Sequence, residues 1–237
     1  MADKEKVVGM FDSIAPTYDF LNHFLSLNID KVWRRKLVKL IAPYKPEQIL
    51  DVASGTGDLA IALNRLKPSG IVGVDISEGM LEVGRRKIAR KGLSNAITLL
   101  YGDSENLPFP SQSFNAVAVS FGVRNFSDLN AGLTDMCRVL KPGGVVAVLE
   151  FSMPRRFPVV QFYKFYFLKV LPFFGKMFSG HSEAYTYLPE SVLKFPSGER
   201  FLQHMRNAGF ANVKEKRLSF GIASIYTGEK TLKPQRQ

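Results

Sequence analysis

The sequence is poor in the features that mark secreted or disulfide-linked proteins. Its 237 residues include one cysteine, Cys137, which excludes an internal disulfide and a cysteine-rich zinc site. We interpret Cys137 as a core residue, consistent with a reducing cytoplasm. No uninterrupted apolar stretch near the start has the length of a secretory signal, so we expect a cytoplasmic protein that is not exported.

Long apolar runs are also missing. A membrane-spanning helix needs about 18 or more successive apolar residues, and the most apolar stretch, 165–178, is interrupted by two lysines and a proline. The sequence therefore predicts no spanning helix.

Acidic residues are outnumbered, since 21 Asp and Glu against 32 Lys and Arg give a formal net charge of +11. The basic residues form groups at 31–39, 84–91, 154–156 and 214–217. Such groups are typical of solvated helix faces, and they also suit an anionic partner, either lipid headgroups or nucleic acid. Composition alone does not choose between these interpretations.

Short apolar runs alternate with helical patterns along the chain. Five nearly continuous runs predict strands buried on both faces, at 48–53, 70–76, 96–102, 115–122 and 145–151. Helices are predicted at 57–66, 77–92 and 129–140, and two last strands within 209–230. This order predicts an α/β fold: an open, mostly parallel sheet with helices on both faces and an antiparallel final strand.

We expect one domain over residues 1–237. Its parts are N-terminal helices (1–45), a ligand-binding core (46–153), an aromatic lid-like insertion (154–200), and a C-terminal helix with strands (201–230). Ligands of such sheets bind beyond the carboxyl ends of the strands, where the turn after the first strand lies.

That turn, "DVASGTGD" at 51–58, carries the most informative pattern. Gly55, Gly57 and Ala60 match a loose G-x-G-x-x-G/A motif that dinucleotide enzymes also have. Four aspartates are expected at the same edge of the sheet, namely Asp51, Asp58, Asp75 and Asp103. Carboxylates repel a diphosphate but attract a sulfonium and an ammonium, so we interpret the ligand as S-adenosylmethionine.

The residue types suggest a role for each position. Asp75 is expected to accept hydrogen bonds from both ribose hydroxyls, and the two glycines let the backbone approach the amino-acid part. Thr56 and Asp58 would line that part, while Asp103 and Ser104 would hold the adenine edge. The alternative, in which the aspartates cap helices, suits Asp58 but explains only one or two of the acids.

The order of these pieces resembles the class I methyltransferases. Four further stretches resemble the C-methyltransferases of menaquinone and ubiquinone biosynthesis: "YDFLNHFLSLNIDKVWRR" (18–35), "SFGVRNFSD" (120–128), "RVLKPGGVVAVLEFS" (138–152) and "AYTYLPESVLKFPSGERF" (184–201). By that resemblance the cofactor positions are Thr56, Asp75, Asp103, Ser104 and Ser120. Ser54 and Asn28 stand where the family usually has glycine.

The resemblance implies methyl transfer to a ring carbon of demethylmenaquinol, with a polyprenyl methoxybenzoquinol of ubiquinone biosynthesis as the alternative acceptor. Carbon is a poor nucleophile until the adjacent hydroxyl loses its proton, so a base or a phenolate-stabilising group is needed. The resemblance places Arg124 there; its structural alternative is an ion pair with Asp128. His23 and Tyr185 are the other catalytic candidates, with Tyr18, Tyr187 and His181 nearby. No metal is expected.

Residues 155–178 are dense in aromatic side chains and edged with basic residues. They could pack as core, and we expect them also to form a lid over an apolar substrate and to contact the anionic inner face of the membrane peripherally. A homodimer stays open. An RNA methyltransferase is disfavoured, because no N-P-P-Y-like site or RNA-binding module is present. A non-catalytic scaffold for a quinone pathway is disfavoured by the intact turn and acids.

Overall fold

The computed structural model describes residues 4–154, 157–165 and 182–231. The strands are β1 (Gln48–Val52), β2 (Gly70–Asp75), β3 (Ile97–Tyr101), β4 (Phe114–Ser120), β5 (Leu140–Phe151), β6 (Phe210–Leu218) and β7 (Ala223–Lys230). The α-helices in these ranges are α1 (Lys4–Leu25), α2 (Ile29–Ile41), α3 (Asp58–Leu63), α4 (Glu78–Arg90), α5 (Leu129–Val139), α6 (Val159–Phe165), α7 (Ser182–Lys194) and α8 (Glu199–Asn207). Within them, every helix is too short or too polar to cross a bilayer.

The strands form one sheet in the order β3-β2-β1-β4-β5-β7-β6. The pairs among β1 to β5 are parallel, whereas β7 pairs antiparallel with both β5 and β6. Only β7 therefore runs against the other strands of this sheet. The predicted fold class, including the antiparallel final strand, is confirmed.

The strand β5 is longer than its pattern predicts, because it begins at Leu140 and runs through the "KPGG" segment. The register of β5 against β4 shifts between Phe114 and Ala116, and regular pairing starts at Val145. Gly143 has a φ of 78°, a conformation that glycine adopts without strain. The apolar pattern thus identified only the regular part of the strand.

The two faces of the sheet bury separate apolar clusters, because successive side chains of a strand point to opposite faces. Ile49 packs with α2, α3 and α4, while its neighbour Leu50 packs with α5 and α8. The helices thus cover both faces and leave the carboxyl ends of the strands for a site.

The helix α1 lies against α4 at those carboxyl ends. Asp12 of α1 accepts hydrogen bonds from the Ser77 hydroxyl (2.5 Å) and the Gly79 N–H (3.0 Å), at the start of α4. The first of the N-terminal helices thus forms part of the wall of the site.

Candidate active site

The turn between β1 and α3 has the backbone that the glycine pattern predicts. Ala53, Gly55 and Gly57 have φ values of 52°, 51° and 77°, in the region that favours glycine. The Gly55 N–H donates to Asp75 Oδ2 at 2.7 Å. A side chain on Gly55 would approach both Met80 and this carboxylate. The turn therefore lies directly against the acid that ends β2.

A pocket of about 860 Å³, including its open mouth, lies beyond the carboxyl ends of the parallel strands. We call it pocket A. Its size falls in the range of cofactor sites. Its wall includes five of the eight predicted cofactor residues: Gly55, Thr56, Asp75, Ser104 and Ser120. The other three, Asp51, Gly57 and Asp103, lie behind or beside this wall.

Asp75 presents its carboxylate to pocket A. Its Oδ1 accepts the Ser77 N–H at 2.9 Å and its Oδ2 accepts the Gly55 N–H. Burial raises the pKa of Asp75, and these two N–H groups oppose the shift. Each oxygen has a further lone pair, so the carboxylate can still accept two adjacent hydroxyl groups.

The other three aspartates are less available than the sequence analysis expected. Asp51 is fully buried, and burial raises its pKa to about 8. Asp58 lies 2.7 Å from Lys87 Nζ, and Asp103 lies 2.5 Å from Lys4 Nζ. The edge of the sheet is therefore not lined by four free carboxylates. Asp58 and Glu105 also line pocket A, but they pair with Lys87 and Lys4, so Asp75 is the wall acid without an ion pair among the described residues.

A second pocket, pocket B, of about 660 Å³ adjoins pocket A. It lies among α1, α2, α7 and the end of β5, and its apolar wall includes Met10, Ile14, Phe151 and Leu188. The two pockets share the four wall residues Phe11, Tyr18, Arg34 and Phe121. Ligands bound in both pockets would therefore meet across these side chains.

Arg124 lines pocket B, and its ion-pair partner is not Asp128. Its Nη1 lies 2.7 Å from Glu150 Oε1 and also donates to the Phe121 carbonyl. Asp128 instead caps α5 by accepting the N–H groups of Asn130 and Ala131. The structural alternative of an Arg124–Asp128 ion pair is therefore wrong.

Glu150 was missed by the sequence analysis. Burial raises its pKa, and Arg124 opposes that shift. Its signal in the sequence was available, because Glu150 is the one charged residue in the apolar run 145–151. A charge in a strand buried on both faces requires a partner.

His23 lies beside the two pockets rather than in their walls. Its Nδ1 is 2.8 Å from Asp30 Oδ2, and its Nε2 is 3.3 Å from Asp58 Oδ2. These three residues have spacing that could hold a metal ion. Arg34 already lies 2.5 Å from Asp30 Oδ2 and 3.5 Å from Asp58 Oδ2, so the carboxylates have a cation. This geometry gives no support for a metal.

Arg34 is the other residue that the sequence analysis missed. The basic group 31–39 was interpreted as a solvated face or a contact surface, yet Arg34 is buried and its guanidinium carbon lies 5.7 Å from the centre of the Phe121 ring. Helical spacing gave the signal, because Arg34 shares one face of α2 with Asp30, Leu37, Val38 and Ile41, which are all buried.

Tyr18 and Tyr187 lie among the described residues, whereas most of the predicted lid does not. Tyr18 lines both pockets, and burial raises its pKa. Tyr187 lines pocket B and donates to Asn125 Oδ1 at 3.0 Å. The side chain of Tyr185 and all of His181 lie outside the described residues, as does most of the predicted lid at 155–178.

An open sheet of this strand order, with a glycine turn after β1 and an acid at the end of β2 facing one pocket, defines the class I methyltransferase fold. A solved SAM-dependent methyltransferase from Thermotoga maritima, described as a possible histamine N-methyltransferase, has a TM-score of 0.64 at 22% identity. The match covers 94% of this chain and 100% of that chain.

Sequence comparison narrows the class. The ubiE/COQ5 methyltransferase family matches residues 1–230. Demethylmenaquinone methyltransferase of Bacteroides fragilis is 48% identical over 227 residues, covering 95% of this chain and 93% of the relative. Ubiquinone/menaquinone biosynthesis C-methyltransferase UbiE of Geobacter sulfurreducens is 48% identical over 231 residues, covering 97% and 90%. The chain belongs to the ubiE/COQ5 methyltransferase family, which confirms the resemblance and the prediction of a methyltransferase.

Proposed function

We propose that this enzyme transfers a methyl group from S-adenosylmethionine to a ring carbon of demethylmenaquinol, giving menaquinol. The observation that carries the proposal is the shared wall of Phe11, Tyr18, Arg34 and Phe121 between two pockets of different character. Pocket A has the glycine turn and the Asp75 carboxylate that suit a cofactor, and pocket B combines apolar side chains with the Arg124 guanidinium. The relatives named for demethylmenaquinone support the choice of acceptor.

The residues of pocket A fit the cofactor. The Asp75 carboxylate would accept the ribose hydroxyls, and Ser104 would face the adenine edge. Gly55 and Thr56 would lie against the amino-acid part, with Ser120 at the end of β4. When bound, S-adenosylmethionine supplies an electrophilic methyl group on a positively charged sulfur.

Pocket B would hold the quinol ring. The guanidinium of Arg124 favours the phenolate form of a ring hydroxyl, because a positive charge in a dry site lowers the pKa of a neighbouring acid. The phenolate electrons make the adjacent ring carbon nucleophilic. After that carbon accepts the methyl group, it loses its proton to solvent and the ring regains aromaticity.

His23 and Tyr185 remain catalytic predictions. His23 contacts Asp30, which lines pocket B, so His23 would act through that carboxylate as a positioning residue. Peripheral contact with an anionic membrane is also part of the proposal. The net charge of +11 and a polyprenyl substrate that resides in the bilayer support this contact.

The experiment is incubation of the purified enzyme with methyl-labelled S-adenosylmethionine and each reduced quinone in detergent. Label in menaquinol, identified by mass, is the expected result. The Geobacter relative is named for both ubiquinone and menaquinone biosynthesis, which makes the benzoquinol the second candidate. Label only in the benzoquinol product would replace the proposed acceptor, and label in neither would reject quinol methylation.

A further inference from the structure

Two turns of the molecule hold a large apolar side chain out in solvent on a strained backbone. Leu27, between α1 and α2, is 81% exposed with a φ of 51°. Phe220, between β6 and β7, is 84% exposed with a φ of 59°. A left-handed backbone conformation costs such residues about 1–2 kcal/mol. An exposed side chain buries no apolar surface on folding, so it does not offset this cost. Neither residue is explained by stability.

Both turns lie beside α2. The Trp33 indole N–H of α2 donates to the hydroxyl of Ser219, the residue before Phe220, at 2.9 Å. Leu27 precedes α2 by two residues. Ile29 and Trp33 are four residues apart, or about 6 Å along a helix. The turns that carry the two exposed side chains therefore both lie near the first half of α2.

The solvent face of α2 carries positive charge. Val32, Arg35, Lys36 and Lys39 are exposed at the spacing of one helical face. The one acid of α2, Asp30, points to the opposite side and pairs with Arg34. No carboxylate of α2 itself therefore offsets the cations on this face. We call α2's exposed face together with Leu27 and Phe220 the α2 surface.

The α2 surface also adjoins pocket B. Ser26 and Asp30 line pocket B, and Leu27 is the residue directly after Ser26. A long apolar tail leaving pocket B past Ser26 would emerge beside Leu27. A lipid bilayer that contacts the α2 surface would therefore also be close to the tail of a substrate bound in pocket B.

We propose that the α2 surface docks on an anionic lipid bilayer, with Leu27 and Phe220 inserted among the acyl chains and the α2 cations against the headgroups. Exposed apolar tips rimmed by cations are what an anionic interface binds. This docking rests on the proposed function only in placing the tail of the quinol in the bilayer.

The test is sedimentation of the full chain with vesicles of phosphatidylcholine, with and without phosphatidylglycerol. The double variant Leu27→Asn/Phe220→Asn should bind the anionic vesicles at least ten-fold more weakly than wild type. Asparagine tolerates a positive φ, so both turns should keep their fold. Tyr101→Asn, 65% exposed on the opposite edge strand β3, is the matched control and should bind like wild type.

A second double variant tests the contribution of the α2 cations to vesicle binding. Arg35→Gln/Lys36→Gln should lose about five-fold in binding for each charge removed, on anionic vesicles only. Unchanged vesicle binding by the Leu27/Phe220 variant would overturn the proposal. So would binding of the α2 surface to RNA or to a second copy of the chain in place of vesicles. Methyl transfer to a tail-less quinol in solution reports the proposed function separately, because it needs no vesicle.

Discussion

Arg124 and Glu150 form an ion pair inside the molecule, with Nη1 2.7 Å from Oε1 and side-chain exposures of 5% and 0%. The pair joins the segment after β4 to the end of β5, beneath pocket B. The Phe151 N–H also donates to Glu150, at 2.9 Å. The carboxylate thus fixes the position of the guanidinium that lines pocket B.

Removal of Arg124 alone would change both the stability of the fold and the rate of methyl transfer, so the two effects could not be separated. Arg124→Ala leaves Glu150 buried without its cation, which typically costs about 3–5 kcal/mol of unfolding free energy. The double variant Arg124→Gln/Glu150→Gln removes both charges and keeps a side chain that can hydrogen-bond at each position. We expect it to unfold near the wild-type denaturant concentration, bind the cofactor normally and lose at least 100-fold in kcat. A wild-type kcat in this variant would exclude phenolate stabilisation by Arg124.

Asp75 offers the sharpest test of pocket A. Asp75→Ala removes the carboxylate that would accept two hydroxyl groups, and hydrogen bonds to a charged group are worth about 1.5–3 kcal/mol each. We expect cofactor affinity, measured by calorimetry, to fall at least ten-fold. Asp128→Asn, which keeps the cap of α5 away from both pockets, should bind the cofactor like wild type. Equal affinity in wild type and Asp75→Ala would reject the ribose assignment.

Much of the fold could be predicted from the sequence because local patterns determine it. Continuous apolar runs identified the buried strands, and the turn glycines with Asp75 predicted the position of pocket A. The partners of the charged residues could not be predicted in the same way. Arg124, just after β4, pairs with Glu150 at the end of the adjacent strand β5 rather than with Asp128 nearby in sequence, and composition could not tell that Arg34 faces inward.

Asp51 should make stability depend on pH. Burial raises its pKa from 3.8 to about 8, so between about pH 4 and pH 8 the folded state keeps a proton that the unfolded state has lost. The contribution of Asp51 to the free energy of unfolding is therefore full at low pH and falls as pH rises, by up to about 1.4 kcal/mol per unit. Asp51→Asn stays neutral and lacks this loss.

Urea unfolding of both proteins without cofactor, from pH 5 to pH 8, measures the difference. The free energy of unfolding of the variant should rise steadily relative to that of wild type as pH rises. Other groups with shifted pKa values affect both proteins. Comparing the two proteins in the same buffers cancels those groups. Parallel stability curves would show that Asp51 is ionised in the folded protein throughout this range.

Substitution by alanine should have opposite effects on stability at two helical glycines. Gly84 in α4 lies against the glycine turn, where an added Cβ would come within 2.5 Å of Leu99 Cδ1 and 3.0 Å of the Thr56 carbonyl carbon. Gly9 in α1 is exposed, and an added Cβ there would meet nothing within 4 Å. Both positions gain about 1 kcal/mol of helix propensity on change to alanine.

The steric cost decides the net sign. Gly84→Ala must displace Leu99 or the Thr56 backbone, and overpacking typically costs about 1–3 kcal/mol, so we expect a net loss of stability and a weaker cofactor affinity because Thr56 lines pocket A. Gly9→Ala should raise the unfolding free energy by about 1 kcal/mol and leave cofactor affinity unchanged. Thermal unfolding of the two variants measures their stability, and calorimetry measures their cofactor affinity. If Gly84→Ala were as stable as Gly9→Ala, the close packing of α4 on the turn would be wrong.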